Sequence, residues 1–360
     1  LQLDYDASIS AVSATGRRVI APDGKLVASA PATDREKQAF RPGLMRLRDM
    51  KMHWTLTEMT EMAAQYEFKI QRQKTAWCKG VSVNGAAIDG FQNYLRVFNF
   101  TRPVFAVLYG TKGEDGKVKV EAVYEVPQTF SAEEGLSMLD DENEAAVERL
   151  AELLGLERVG IMFSHAPRAK GFNFTADEVL TSAAYQMEAG EKSTFVTIKV
   201  TLRDDGTTEI EAFQVSDQCV EMMSRDALSV NPEDPKTTKV EETYTAIVEA
   251  KEAESVDNDF FLVPVPIEMF TSELFTSASF PPANREHHPQ VLEDIGEHLR
   301  ELRARPACEQ LADFQLLLFV GQRIFDLESD MPAICAAVVS RGEIGGGHML
   351  ILKNAAGMEG

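Results

Sequence analysis

Pro103-Val-Phe-Ala-Val-Leu-Tyr-Gly110, Thr111-Lys-Gly-Glu-Asp-Gly116 and Lys117-Val-Lys-Val-Glu-Ala-Val-Tyr-Glu-Val-Pro127 decide the fold. Two runs rich in Val, Phe and Tyr flank a short Gly/Asp cluster, which is the composition of a β-hairpin. Residues 142–154 then place Ala, Val and Leu at helical spacing beneath an acidic surface and predict an amphipathic helix. Residues 158–165 predict a third strand, 166–174 a loop, and a helix begins at Thr175. Runs of strand and helix in this order predict an α+β class, with a mixed, mainly helical region towards the C-terminus.

Composition bounds what surrounds this frame. A chain of 360 residues, 44% apolar and 26% charged, is an ordinary globular composition with room for two modest domains. The net charge of −21 opposes binding to nucleic acid or to an anionic membrane, because the phosphate term is repulsive over most of the surface. No segment approaches the ~20 apolar residues of a membrane span. Cys78, Cys219, Cys308 and Cys335 are far apart, with no CxxC pair and no His at zinc-finger spacing. They read as free, buried thiols in a reducing compartment.

Outward from the centre, Leu1-Gln-Leu-Asp-Tyr-Asp6 alternates like the last strand of a small β domain, and residues 7–54 have linker composition. Residues 55–73 predict a helix with Leu56, Met59, Met62, Ala63 and Tyr66 on one face, and residues 88–100 a second amphipathic helix. After Glu178 the helix runs to about Met187. Strands follow over 194–202 and 208–215, joined at Asp204-Asp-Gly206, and Ser216-Asp217 caps another helix. Asn231-Pro-Glu-Asp-Pro235 predicts a boundary. Residues 237–250 and 256–263 read as extended, then helices are expected over 289–303, 308–325 and 332–340. Gly345-Gly-Gly347 reads as a flexible turn without the Lys-Ser/Thr of a phosphate loop, and residues 349–353 as a closing strand.

The order around residues 102–178 resembles the MPN domain of the zinc-dependent JAMM deubiquitinases. In an active member a Glu stands on the first strand, a His-x-His pair ends the third, and a Ser and an Asp follow. Pro103 occupies the place of the Glu, Phe163 and His165 that of the His pair, and Thr175 and Glu178 that of the Ser and Asp. A catalytic zinc needs three protein ligands and a water, and one expected ligand survives here beside a displaced, longer carboxylate. Zinc lowers the pKa of its water from about 15.7 to about 7. At about 1.4 kcal/mol per unit, roughly 12 kcal/mol of activation is lost with it. The resemblance therefore implies an inactive domain with no catalytic residue, no metal and no cofactor.

A sharper likeness lies in Ala122-Val-Tyr-Glu-Val-Pro-Gln128, Phe174-Thr-Ala-Asp-Glu178, Glu211-Ala-Phe-Gln-Val-Ser-Asp-Gln-Cys219, Val256-Asp-Asn-Asp-Phe-Phe-Leu262 and Ser279-Phe-Pro-Pro-Ala-Asn-Arg285. These blocks are similar to the nuclear protein localization protein 4 family, in its branch lacking zinc fingers. The resemblance implies a non-enzymatic adaptor of the valosin-containing-protein/Cdc48-type AAA+ hexamer. Such an adaptor works with a ubiquitin-fusion-degradation partner protein, binds polyubiquitin and ubiquitinated substrates, and is found in cytoplasm and nucleus, reaching the ER membrane through partners. It also implies a domain division: 1–6 the end of a truncated ubiquitin-like domain, 7–54 linker, 55–80 a helical arm replacing zinc fingers, 81–230 the inactive MPN domain, and 231–360 the C-terminal domain. An unfolded ubiquitin segment is expected in a groove at Pro127, Gln128, Phe213, Gln214, Asp257, Asn258, Asp259, Phe260 and Phe261. Each has a plainer reading as core or turn. His165 is equally a hydrogen-bonded strand-end histidine, and the neighbouring His287 and His288 point in different directions as parts of a solvated helix start. Two other functions remain open: a zinc isopeptidase using His165 and Glu178, and a scaffold subunit of a proteasome-lid-like complex.

Overall fold

A computed structural model describes residues 18–20, 26–28, 64–131, 135–203, 205–285 and 288–358. Residues 1–6, read as a terminal strand, lie outside them, as do residues 55–63 of the predicted first helix and His287. Arg18–Ile20 and Leu26–Ala28, in the stretch read as linker, form a short antiparallel pair. The class is mixed α+β, sheet-rich in the middle and helical at the end. The chain gathers into two compact units, each assembled from separate segments. The first draws on the described residues of 1–76, 168–193 and 214–264, and the second on those of 77–167, 194–213 and 265–360. Neither has an edge at residue 230.

The second unit is organised by strands β1 (Gly80–Asn84), β2 (Phe105–Lys112), β3 (Lys117–Glu125), β4 (Glu157–Ser164), β5 (Val196–Leu202), β6 (Thr208–Val215) and β7 (Ile267–Phe270), side by side in the order β6-β5-β4-β2-β3-β1-β7. β2 and β3 are the predicted hairpin. Its turn is closed by the Gly113 N–H on the Lys117 carbonyl (2.8 Å) and by the Lys117 N–H on Asp115 Oδ1 (3.1 Å). A bulge lies between Tyr109 and Gly110, where the backbones run so close that a Cβ on Gly110 would stand 1.9 Å from the Lys119 oxygen. Only glycine fits there. β1 runs parallel to both β3 and β7.

Helix α1 (Gly85–Val97) is started by Asn84, whose Oδ1 accepts from the Ala86 N–H (3.2 Å), and it buries Ile88, Phe91 and Leu95. Helix α2 (Glu144–Leu153) buries Val147, Leu150 and Ala151. Four further helices are α3 (Leu292–Glu301), α4 (Phe314–Arg323), α5 (Met331–Ser340) and α6 (Gly346–Ala355). α2 packs on α4 and α5, and the Tyr109 and Phe314 rings stack at 5.9 Å. Residues 314–321 are all buried, at roughly 1.5–3 kcal/mol for each large apolar side chain.

Several expectations need correcting. Residues 349–353 are helical, part of α6, with Gly345 at its cap and Gly346 and Gly347 in its first turn. Met-Leu-Ile-Leu is too short an apolar run for its period to separate strand from helix. The helix expected over 308–325 is two, Ala307–Gln310 and α4. The first ends at its cap Leu311, and α4 starts at Asp313, whose Oδ1 accepts from the Gln315 and Leu316 N–H groups. A hairpin of Gln128–Ser131 and Gly135–Met138 follows β3, where no strand was expected.

In the first unit Glu67–Ile70, expected as the end of a helix, is a strand that runs parallel to Thr245–Val248 and buries Phe68 and Ile70. Lys251–Ala253 adds a third strand to it. Leu228–Val230, Thr237–Val240 and Ser255–Asp257 form a second small sheet. The helices Ala176–Glu188 and Asp217–Ser224 pack on each other.

Candidate functional site

The positions that would hold a JAMM metal are accounted for by other interactions. In the second unit Phe163 is 5% exposed at the end of β4, and Pro103 precedes β2 with no side-chain donor. His165 is buried. Its Nδ1–H donates to the Ala166 carbonyl (2.7 Å), its N–H to the Val200 carbonyl (3.3 Å), and its own carbonyl accepts from Thr201 Oγ1 (3.1 Å).

In the first unit Thr175 and Glu178 form a capping box at the start of Ala176–Glu188. The Glu178 N–H donates to Thr175 Oγ1 (3.2 Å), and Glu178 Oε2 accepts from the Thr175 N–H (2.8 Å). Arg168 grips the same carboxylate with both arms, Nη1 to Oε2 at 2.7 Å and Nη2 to Oε1 at 2.6 Å. Both carboxylate oxygens are thus taken by charge-assisted bonds. These residues do not fit a zinc ion. Among the described residues, no group of three or more His, Cys, Asp or Glu is placed to hold a metal.

The nine residues expected to line a cargo groove divide into two sets. Gln214, Asp257, Asn258, Asp259, Phe260 and Phe261 belong to the first unit and Pro127, Gln128 and Phe213 to the second. Asn258 is a structural knot: Oδ1 accepts from Thr238 Oγ1 (2.7 Å) while Nδ2 donates to the Phe174 (2.9 Å) and Pro235 (3.0 Å) carbonyls. Asp257 caps the short turn after it through the Asp259 N–H, and Asp259 Oδ1 accepts from Asn173 Nδ2 (3.0 Å). Phe261, Gln214 and Phe213 are buried, and Gln214 Nε2 donates to the Ser193 carbonyl. Phe260 is half-buried beneath the Arg72 guanidinium, 4.7 Å from its ring centre.

Pro127 and Gln128 instead open on a groove of about 600 Å³ within the second unit. One wall is the base of the Gln128–Ser131 hairpin with Leu139, whose N–H donates to the Pro127 carbonyl (2.8 Å). Gln128 is fixed there by Oε1 accepting from the Phe105 N–H (2.7 Å) and Nε2 donating to the Phe105 carbonyl (2.8 Å). The facing wall is Ala283 to Arg285, Pro289 and Gln290, and the end of α4 supplies Phe319, Gln322 and Arg323.

Asn284 holds the facing wall in a left-handed turn (φ 65°), its Nδ2 donating to the Glu125 carbonyl (2.9 Å). Pro127, Leu139, Ala283, Pro289 and Phe319 supply the apolar part of the lining, and the remaining described lining residues are polar or charged, Gln128 and Asn284 among them fixed as above. Of its lining, sequence analysis had picked out Pro127 and Gln128. Ser279-Phe-Pro-Pro-Ala-Asn-Arg285 drew notice there as a block without being assigned to a site. Gln322 and Arg323 carried no signal beyond their place at the end of an apolar helix.

No cysteine lines this groove. All four cysteines are free and buried. Burial pushes the Cys335 thiol up to about 12 and raises Cys219 and Cys78 as well, so thiolate is scarce at neutral pH.

Comparison with known proteins places relatives around this chain. A sequence model of the NPL4 family matches residues 105–350. NPL4-like protein 2 of Arabidopsis thaliana is 32% identical over 302 residues, 81% of this chain and 71% of that protein. The nuclear protein localization protein 4 homolog of Dictyostelium discoideum is 28% identical over 297 residues, 82% of this chain and 50% of that one. The human homolog of the same name is 23% identical over 290 residues, 66% of this chain and 48% of its own length.

Proposed function

This chain belongs to the NPL4 family, and from that premise we propose that it is a non-enzymatic adaptor. It binds polyubiquitin, holds an extended ubiquitin segment, and delivers ubiquitinated proteins to a valosin-containing-protein/Cdc48-type AAA+ hexamer alongside a ubiquitin-fusion-degradation partner. The product of that hand-over is proteasomal or ER-associated degradation, in the cytoplasm, in the nucleus and at the ER surface through partners. In this reading residues 81–230 are an MPN domain without isopeptidase chemistry and 231–360 the C-terminal domain. The arm over 55–80 stands in place of zinc fingers.

The observation that carries the reading is the groove of about 600 Å³ beside Pro127 and Gln128, whose described lining mixes apolar, amide and arginine side chains and holds no Cys, His, Asp or Glu. An exposed hairpin beside such a groove suits an extended polypeptide, whose main chain adds to strand edges while side chains enter pockets. Glu178 supports the absence of catalysis, because Arg168 and the Thr175 N–H already occupy both its oxygens.

The test is a pull-down of the full chain with polyubiquitin and with the hexamer, alongside zinc analysis and a ubiquitin-chain cleavage assay. Capture without cleavage is expected. Stoichiometric zinc with chelator-sensitive cleavage would point to the isopeptidase instead, and failure to capture either partner would remove the adaptor role.

A further inference from the structure

We infer that the arginine turn closing α3, formed by Arg300, Arg303 and Arg305, docks an acidic segment of another protein whose carboxylates fall on alternate residues. This surface lies in the second unit outside the groove, and nothing in its reading depends on the adaptor role.

Two observations carry it. The first is a set of cations left without anions. Arg300, Arg303 and Arg305 are exposed, and among the described residues none of them has a carboxylate within ion-pair distance. This runs against the habit of a chain with 57 acidic residues to 36 basic ones. Arg203 and Arg225 are also exposed, yet Arg203 meets Glu209 at 2.8 Å and Arg225 meets Glu221 at 2.6 Å. Glu297 and Glu301 stand beside the three arginines in sequence without pairing, and Glu309 turns to Arg341 instead (3.6 Å). The negative end of a helix favours cations, which accounts for their place and leaves their charge unmatched.

The second is that the turn is fixed. The Arg303 N–H donates to the Arg300 carbonyl (3.4 Å) and the Arg305 N–H to the Leu302 carbonyl (2.8 Å). Gln310 Nε2 donates to the Arg305 carbonyl (2.7 Å), and Arg305 Nη1 to the Thr276 carbonyl (3.1 Å). A backbone already held in this way loses little freedom when a partner binds.

Spacing selects the ligand. Residues three apart on a helical turn have Cβ atoms about 5–6 Å apart on one side, and alternate side chains of an extended segment are about 6.6 Å apart on one side. The arginines are spread along the turn and do not meet at a point. A row of the form Glu-x-Glu fits them better than one carboxylate, each guanidinium gripping its own acid. A long polyanion is repelled by the net charge of −21, whereas a short acidic stretch brings few charges of its own.

The test is fluorescence anisotropy of a dye-labelled, end-blocked peptide with Glu at alternate positions, titrated with the full chain. The same peptide with Gln in place of Glu and a single-stranded DNA oligonucleotide are run beside it. Wild type should bind the Glu peptide at least about tenfold more tightly than the Gln peptide at low salt, and lose about fivefold at physiological salt. Arg300→Glu with Arg303→Glu, whose native side chains make no hydrogen bond among the described residues, should weaken it at least about tenfold with the thermal midpoint nearly unchanged. Arg300→Gln with Arg303→Gln, the milder change, should weaken it about threefold or more. Lys239→Glu with Lys251→Glu alters net charge as much as the first pair, on exposed residues of the first unit, and should stay within about twofold of wild type.

Equal binding of the Glu and Gln peptides overturns the inference. So does full affinity in the Gln variant, an equal loss in the Lys239 and Lys251 variant, tighter binding of the DNA, or no binding at low salt. Self-association of the free chain that the Arg300→Glu, Arg303→Glu change dissolves, read by sedimentation, would assign the surface to a second copy and overturn it too.

Discussion

The Arg285 guanidinium grips both carboxylate oxygens of Glu125, Nε to Oε2 at 2.9 Å and Nη2 to Oε1 at 2.5 Å, and lies 4.0 Å from the centre of the Tyr94 ring. The two side chains are 14% and 5% exposed. This pair fastens the wall of the groove at Ala283 to Arg285 to the end of β3. Breaking such a pair strands a buried charge, whereas replacing both partners by apolar groups is often near neutral. Glu125→Leu alone should therefore cost about 3–5 kcal/mol. Glu125→Leu with Arg285→Met should cost much less. Urea unfolding of the three proteins reads this out, and a double variant as unstable as the single would contradict it.

Asn258 separates structural from binding roles in the Asp257 to Phe261 block. Its side chain makes three hydrogen bonds, to Thr238, Phe174 and Pro235, and it is 2% exposed. Asn258→Leu should cost roughly 3 kcal/mol, at about 1 kcal/mol per bond. Charge reversal of the exposed Asp257 loses only the cap on the Asp259 N–H and should cost about 1 kcal/mol. If the block also touches substrate, Asp257→Lys slows processing by the unfoldase while its urea midpoint stays near wild type. A midpoint that falls as far as that of Asn258→Leu makes the whole block structural.

Phe163→His restores one ligand of the JAMM pattern and should restore no hydrolysis. Pro103 still offers no acid or base, and Glu178 remains committed to Arg168. Zinc content and ubiquitin-chain cleavage of this variant should match wild type. Detectable, chelator-sensitive turnover would falsify the account of why the site is inert.

Alkaline pH should destabilise the protein through its buried thiols and tyrosines. Burial raises the Cys335 thiol to about 12, well above the ordinary thiol range, and also raises Cys219, Tyr109 and Tyr124. An acid whose folded pKa is raised binds its proton longer in the folded state. Its contribution is whole below the unfolded pKa and is lost as pH climbs towards the folded one. For the thiols the loss begins near pH 9 and for the tyrosines near pH 10, each at about 1.4 kcal/mol per unit. Urea midpoints should be flat for these groups up to about pH 8.5 and fall steeply above it. Thiol labelling at neutral pH should be negligible until urea is added.

The middle of the chain was legible because its signals are local. The Gly/Asp turn at 113–116 and the alternation either side give the β2–β3 hairpin without help from distant residues. Thr175-Ala-Asp-Glu178 is a capping box in sequence, and the same two residues account for positions that the JAMM comparison had marked as ligands. Glu67–Ile70 was not legible, because what makes it a strand is its distant partner Thr245–Val248. The Gln128–Ser131 hairpin escaped for a different reason. Its exposed strands carry little periodicity, and Phe130 and Met138 are its large apolar side chains at the surface. The groove was half seen through Pro127 and Gln128. Its other wall comes from loops and a helix end far along the chain.

The parallel ladder between Glu67–Ile70 and Thr245–Val248 also sets an order on biosynthesis. As the polypeptide leaves the ribosome, its early strand has no mate until some 170 further residues have been made. Throughout that interval Phe68 and Ile70, buried in the finished protein, face solvent or a holding chaperone. Pairings across such separations form slowly. The small sheet of the first unit is therefore completed late, however early its first strand is made.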